Sequence, residues 1–383
     1  MRHLDHNVAQ LLRALATPHT HVGAASISTL SRDISCWDEV LRGAAEHGIL
    51  PALYCRLAES TGFVPTDVYD RARREFERNA FHWMTNAEEL LEVLSAFEKA
   101  GIDVMPFKGV VLGASAYGDM THRIAGDIDL LIRHRDLQCA SAILKQRGYE
   151  LTTKTLQDGS PEPQHYFEYH FERPSDGIVL ELRWRLDLTQ PRYRFELGLD
   201  WAWDQRRTMK LAGADVPSLS PVKNLLVLCM HGSKHRWSRL MWVCDVAQAL
   251  QTEPDIDWLA VCDEAARVGL FHSLALGVML ATRMCGSVVP AEVLKRFERV
   301  RSMWVIATFL SEHLIAEPGK LPAGRIPYNI QLLGFRDRAA ALLSVSFLRP
   351  NPQDRALIRL PKSLDALYYL VRPIRILLDR SGR

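Results

Sequence analysis

The sequence predicts an α+β protein in which a small mixed sheet with helices is flanked by N- and C-terminal helical regions. Three observations predict it. Apolar residues recur at three-four spacing before residue 100 and after residue 220, the mark of buried helical stripes. Just after Gly101 the period changes to that of short strands. Pro174-Ser175-Asp176-Gly177 then separates two strand-like runs and reads as a hairpin turn. The expected division is a helical region over 1–100, a core over 101–210 and a helical domain over 211–383.

Each element has its own signal. Trp37, Val40, Leu41, Ala44 and Ala45 form a helical stripe within 36–58, and Gly48 stops that helix ahead of Ile49-Leu50-Pro51. A long charged helix over 66–100 turns Leu90, Leu91, Leu94 and Phe97 inward and ends at Gly101. Strands are expected at 102–106 and 125–133, with Lys108–Tyr117 as a turn entering a helix between them. A helix over 136–146, closed by Gly148, leads to a third strand at 149–155. The hairpin strands cover 165–173 and 178–185. In the second, Ile178, Leu180, Leu182 and Trp184 share one face and Val179, Glu181, Arg183 and Arg185 the other. If Arg173 pairs with Ile178, His170 lies opposite Glu181. Helices follow at 221–235, 240–251, 258–268, 270–284 and 290–309, then a crossing segment at 316–335. The arginine-rich end, 349–383, is expected to pack Leu367, Leu370, Ile374 and Leu377 inward.

Bulk properties describe an ordinary globular chain: 383 residues, 48% hydrophobic, 24% charged, net charge +2. That balance gives no reason to expect nucleic acid as a partner. Seven scattered cysteines without a CxxC pair read as reduced thiols rather than disulfides or a zinc site. No apolar run approaches the ~18 residues of a membrane span. The chain reads as cytoplasmic, with no membrane partner.

The chemistry concentrates in 108–132, around Asp127-Ile128-Asp129. Alternation along a strand points both carboxylates to one face, one pleat apart, where they repel unless a cation lies between them. A hard divalent metal, Mg²⁺ foremost, resolves that repulsion. The bland alternative is that the aspartates end the strand and cap the next turn. Glu181 offers a third carboxylate, or is a glutamate on a solvated sheet face. Lys108-Gly109 opens a helix, where glycine lets an anion approach the backbone amides. Arg123 is either a bidentate phosphate ligand or a surface arginine.

The ordered set Lys108-Gly109, Tyr117, Arg123, Asp127-Ile128-Asp129-Leu130-Leu131, Gly148-Tyr149 and Glu181…Trp184 resembles the uncharacterised nucleotidyltransferase family of bacterial gene clusters, within the polymerase-β-like nucleotidyltransferase superfamily. Trp37…His47-Gly48…Pro51, His231…His235 and Leu240…Trp242…Asp245 extend the likeness over roughly 30–290, and Leu370-Val371-Arg372-Pro373 is similar too. The resemblance implies a polymerase-β-like core and metal-dependent transfer of a nucleoside monophosphate, AMP foremost, from an NTP. Pyrophosphate is released, and the acceptor is an unidentified small molecule, peptide or protein. Two Mg²⁺, or Mn²⁺, would serve as cofactor. It implies Asp127, Asp129 and Glu181 as metal ligands and catalytic carboxylates, with Glu181 or Asp129 helping to deprotonate the acceptor. Lys108-Gly109 stands where the superfamily has a Gly-Ser turn. Arg183 departs from the family's Glu-x-His-Trp, and His170 matches a histidine of the preceding strand. Arg183 either contacts substrate phosphate or marks an altered acceptor pocket.

Weaker candidates remain. Lys234, with Arg236 and Arg239, forms either a cationic wall over the triphosphate or a solvated helix face. His231 and His235 are spaced as metal ligands are, yet lack a third partner, so substrate contact or a hydrogen bond to Asp245 is the stronger reading. Asp255 and Asp257 read as helix-entry residues. The rival from another class is a non-catalytic module that binds a nucleotide or peptide for a partner enzyme.

Overall fold

Thirty-four residues of unbroken helix, α5 (Thr66–Lys99), form the spine on which the rest is arranged. The computed structural model describes residues 5–17, 24–59, 64–124, 126–153, 167–186, 199–322, 328–332, 358 and 367–368. Four helices come first: α1 (His6–Ala16), α2 (Ala24–Arg32), α3 (Trp37–Glu46) and α4 (Leu50–Ala58). Gly48, at φ +68°, separates α3 from α4; a Cβ there would meet Met241 Sδ at 2.4 Å. After α5 (Thr66–Lys99), Gly101 takes φ +71° and the Ile102 N–H returns to Phe97 O at 2.9 Å, which satisfies an orphan carbonyl.

The core then runs β1 (Val104–Pro106), α6 (Gly109–Ala116), β2 (Ile128–Ile132), α7 (Leu137–Gln146), β3 (Glu150–Leu151), β4 (Glu168–Arg173) and β5 (Ile178–Arg183). These strands make one mixed sheet in the order β1-β2-β5-β4-β3. Only β2 and β5 pair in parallel; β1 with β2, β4 with β5 and β3 with β4 are antiparallel. The hairpin has the expected register, Arg173 opposite Ile178 and His170 opposite Glu181. The third strand is short. Thr152 N–H still donates to His170 O at 2.9 Å, while 154–166 lie outside the described residues.

Alternation gives the sheet two different faces. Ile128, Leu130, Ile132, Leu180, Leu182 and Trp184 face α5 and α7 and form one core with Trp83, Leu90, Val93, Phe97 and Leu144. Met105 and Leu131 face the other way, into a second core. That second core belongs to a helical body built from both ends of the chain. α1, α3 and α4 pack with α9 (Pro221–Lys234), α10 (Leu240–Thr252), α11 (Trp258–Arg267), α12 (Phe271–Cys285), α13 (Ala291–Glu298) and α14 (Arg301–His313). His47, fully buried, ties the two ends together. Its Nδ1 accepts from Leu240 N–H at 3.4 Å, leaving Nε2 to donate to Ile315 O at 3.0 Å. Burial lowers its pKa, consistent with a neutral ring.

Two elements go beyond the sequence-based expectation. A short helix, α8 (Leu199–Trp203), precedes an antiparallel hairpin of β6 (Arg207–Leu211) and β7 (Ala214–Ser218). Ala212 and Gly213 at its tip both have positive φ, the conformation of a tight two-residue turn. The single helix expected over 290–309 is two, because Val300 leaves helical geometry at φ −78°, ψ 78° and caps α14. Asp257 caps α11 by accepting from Leu259 and Ala260 N–H, as expected. Leu367 is exposed and Tyr368 beside it is buried; the rest of the arginine-rich end, Ile358 apart, lies outside the described residues. All seven cysteines are free. Among the described residues no helix is long and apolar enough to cross a membrane.

A buried ion pair joins the helical body to the core. Arg123, in the loop before β2, donates from Nε and Nη2 to the two oxygens of Asp245 on α10 at 2.8 and 3.1 Å, and Tyr117 OH donates to Oδ1 at 2.7 Å. Removing one partner strands a buried charge. Asp245→Ala is therefore expected to lower stability by about 3–5 kcal/mol in denaturant unfolding, and the apolar pair Arg123→Met/Asp245→Leu to recover much of it. Equal stability of wild type and Asp245→Ala would refute that account.

Candidate active site

The site begins with a turn. Lys108 leaves β1 with φ 52° and ψ −142°, a conformation rare for a side-chain-bearing residue, and caps α6. Gly109 follows at φ +37°, and a Cβ there would stand 2.8 Å from the carbonyl oxygen of Asp127. The glycine is needed because the turn lies directly against the backbone that carries the aspartates. From that turn the Lys108 side chain reaches Asp129, Nζ to Oδ1 at 2.8 Å, with both groups buried.

The loop leading into β2 is held from the other side by α5. Asn79 Nδ2 donates to the carbonyls of Thr121 and Arg123, each at 3.0 Å, Trp83 Nε1 donates to Arg123 O at 2.7 Å, and Asn86 Nδ2 donates to Gly126 O at 2.6 Å. These side chains share one helical stripe, so one straight helix fixes successive backbone points ahead of Asp127. None of the three stands out in the sequence. The available signal was two asparagines in the stripe that a long amphipathic helix buries.

Parallel pairing of β2 with β5 sets Asp129 opposite Glu181. Asp127, Asp129 and Glu181 each offer an oxygen, and these atoms lie within 4.8 Å of one another. Glu168, His170 and Glu181 form a second such group. Glu168 was also missed, although the hairpin register that places His170 beside Glu181 places Glu168 opposite Arg183. Arg183 lies among the acids. Its Nη1 contacts Glu168 Oε2, its Nη2 and Nε contact Glu181 Oε2, and its Nε is 3.6 Å from Asp129 Oδ1. His170 Nε2 lies 3.3 Å from Glu168 Oε1 and 3.8 Å from Glu181 Oε1. Lys234 Nζ reaches Glu168 Oε2 at 3.9 Å.

The structure thus brings Lys108, Gly109, Asp127, Asp129, His170, Glu181, Arg183 and Lys234 together. Arg123 stands apart from these cations, its guanidinium committed to Asp245. The hydrogen bonds to Asp245 come from Tyr117 and Arg123, not from His231 or His235. The two histidines instead pack against each other and against Trp242, tilted or edge-on, at centroid distances of 4.6, 5.5 and 5.0 Å. Burial, with Lys108, Lys234 and Arg183 nearby, keeps them neutral; His235 is pushed down to about 4.

Electrostatics divides the carboxylates. Burial, abetted by Asp127 and Glu181 and opposed by Lys108, pushes Asp129 up to about 7. Asp127 is raised by burial and by Glu181. Burial acts on Glu181 in the same sense, yet Arg183 and Lys108 outweigh it and hold that carboxyl well below its usual range. Glu168 is likewise lowered, burial being overcome by His170, Arg183 and Lys234. The hydrogen bond to Glu168 raises His170 against burial. Asp127 and Asp129 therefore carry charge that the protein's own cations do not fully satisfy. With Glu181 they converge as three hard oxygen donors, a set that fits a divalent cation of the Mg²⁺ or Mn²⁺ type.

Comparison with known proteins bears on the fold and on this site. No curated protein matches the chain. Among solved structures it is similar to ANT(2″)-Ia in complex with adenylyl-2″-tobramycin, at 14% identity and TM-score 0.35, over 48% of this chain and 97% of that one. A solution structure of the antibiotic-resistance factor ANT(2″)-Ia gives 14% and 0.28, over 60% and 98%. An antigenic nucleotidyltransferase-like protein from Paracoccidioides brasiliensis gives 16% and 0.29, over 62% and 95%. Scores this low carry no argument by themselves. The family described as uncharacterised nucleotidyltransferase matches residues 35–286, which hold every site residue named above. This chain belongs to the uncharacterised nucleotidyltransferase family.

Proposed function

We propose that the chain transfers a nucleoside monophosphate, AMP from ATP foremost, to a hydroxyl or similar nucleophile on a small molecule, peptide or protein, in the cytoplasm. The observation that carries this reading is the convergence of Asp127, Asp129 and Glu181 on one sheet face. The proposed division into an N-terminal helical region (1–100), a transferase core (101–210) and a C-terminal helical domain (211–383) has its second boundary inside β6, so the β6–β7 hairpin forms the passage between the last two.

Asp127, Asp129 and Glu181 would hold the divalent cation, which when bound supplies Lewis-acid polarisation of the phosphoryl oxygens. Lys108 and Gly109 take the β- and γ-phosphates, the glycine by close backbone approach at the helix N-terminus and the lysine by charge. Lys234, Arg183 and His170 supply further positive charge on the same face. Arg123 acts at one remove: paired with Asp245, it holds the loop that aims Asp127. Asp129 or Glu181 accepts the proton of the acceptor hydroxyl. The acceptor oxygen forms its bond to the α-phosphorus as the α–β bridging P–O bond breaks, and pyrophosphate carries away the electron pair.

With Mg²⁺, labelled ATP and a panel of acceptors, wild type should label an acceptor and the Asp127→Asn/Asp129→Asn variant should lose about 10²-fold or more of that activity. Equal turnover would sink the mechanism, and calorimetry showing no ATP binding would favour the non-catalytic module. Gly109→Ala should lower kcat/KM and cost roughly 1–3 kcal/mol of stability, because it adds a Cβ at 2.8 Å from Asp127 O on a strained turn. Gly126→Ala, where a Cβ meets nothing within 4 Å, sets the baseline. An unaffected Gly109→Ala enzyme would show that the turn is not under this constraint.

The pH dependence follows from Asp129. Its folded-state pKa is raised from 3.8 to about 7, so its contribution to metal-free stability is present at low pH and is lost as pH rises through 7. A cation requires the deprotonated carboxylate. The rise in Tm caused by Mn²⁺ should therefore be larger at pH 8 than at pH 6 and should vanish in Asp129→Asn. The same Tm rise at both pH values would count against this assignment.

A further inference from the structure

Arg183 stands among the carboxylates of the candidate site, and its contacts bear on how many cations that site takes. The strand places it on the face of Glu181 and the hairpin places it opposite Glu168. Its side chain is only 14% exposed, and the guanidinium touches three carboxylates: Glu181 through Nε at 3.1 Å and through Nη2, Glu168 through Nη1, and Asp129 at 3.6 Å.

Two groups of ligand atoms share this face, Asp127–Asp129–Glu181 and Glu168–His170–Glu181, with Glu181 common to both. They are not equivalent. In the second group both carboxylates already receive N–H donors from Arg183. In the first, Arg183 reaches Glu181 and lies 3.6 Å from Asp129 but has no contact with Asp127, which faces Glu181 with like charge. A planar guanidinium satisfies carboxylates that a small ion would draw together, and its fixed charge repels a divalent ion placed among the same oxygens.

We propose that Arg183 is the resident cation of the Glu168–His170–Glu181 group, so that the chain holds one divalent ion, at Asp127–Asp129–Glu181, where a pair was expected. This rests on the metal-dependent reading above. Arg183 is then a positioning residue: it fixes one oxygen of Glu181 and supplies the charge of a second ion without needing one from solution.

The test is a Mn²⁺ titration of the full chain, with free ion read by electron paramagnetic resonance and Tm read alongside. Wild type and Arg183→Lys should bind one Mn²⁺ per chain. Arg183→Gln should bind a second, or bind the first at least about tenfold more tightly once the fixed charge is gone, and should recover with Mn²⁺ the Tm it loses without it. A merely structural arginine would lower Tm and leave the Mn²⁺ number and affinity alone. Glu168→Gln gives an independent arm that keeps Arg183, and it should leave the number at one. Two ions in wild type, an unchanged titration in Arg183→Gln, or loss of the ion in Glu168→Gln would overturn the proposal. Absence of Mn²⁺ binding in every variant would instead overturn the metal-dependent reading, and this proposal with it.

Discussion

The site depends on one strand pairing. β2 and β5 are far apart in sequence and run parallel, and their register sets Asp129 beside Glu181. Side chains alternate along each strand, so that single register decides every other neighbour on the face. It sends Ile128, Leu130, Leu180 and Leu182 into the core under α5 and α7 and turns Asp129, Glu181 and Arg183 toward the helical body, with Asp127 just ahead of the strand. A slip of one residue would bury the carboxylates and expose the leucines. The apolar face therefore fixes the polar one.

That face is costly to maintain, and the rest of the fold bears the cost. Gathered acids repel, and Lys108 and Arg183 offset part of the repulsion from positions the sheet and turn hold rigidly. The backbone is constrained as well. Lys108 sits at positive φ, Gly109 lies against Asp127, and α5 pins the preceding loop at three carbonyls through Asn79, Trp83 and Asn86. Strain at a functional turn persists where its surroundings over-determine it, as these do.

The two ends of the chain serve the same purpose from the opposite side. α1, α3 and α4 share a core with α9, α10 and α12, and His47 bridges them from within. The product is a rigid body from which Asp245 reaches the loop before β2 through Arg123, and from which Lys234 reaches Glu168. Glu89 does the corresponding work on the sheet's other side, linking α5 to Arg147 beyond α7 and to Arg173 at the hairpin.

The sequence by itself determined the local order. It determined the helical regions, the places of the short strands seen at 104–106 and 128–132, the hairpin with its register, and Asp127 and Asp129 as a carboxylate pair. Each of these follows from periodicity, turn chemistry or charge over a few residues, and hairpin pairing is local. Glu168 was within reach of the same register argument. Tertiary structure alone decided which distant groups meet. Arg123 looks like a phosphate ligand until Asp245, 122 residues away, is seen to hold it. The asparagines of α5 look like surface polarity until the loop they support is placed on them. Arg183, read as a substrate contact or the mark of an altered acceptor pocket, is found by packing alone to lie among three acids. A buried charge takes whatever partner packing brings within about 4 Å, and strand alternation or helical period does not encode that distance across the fold.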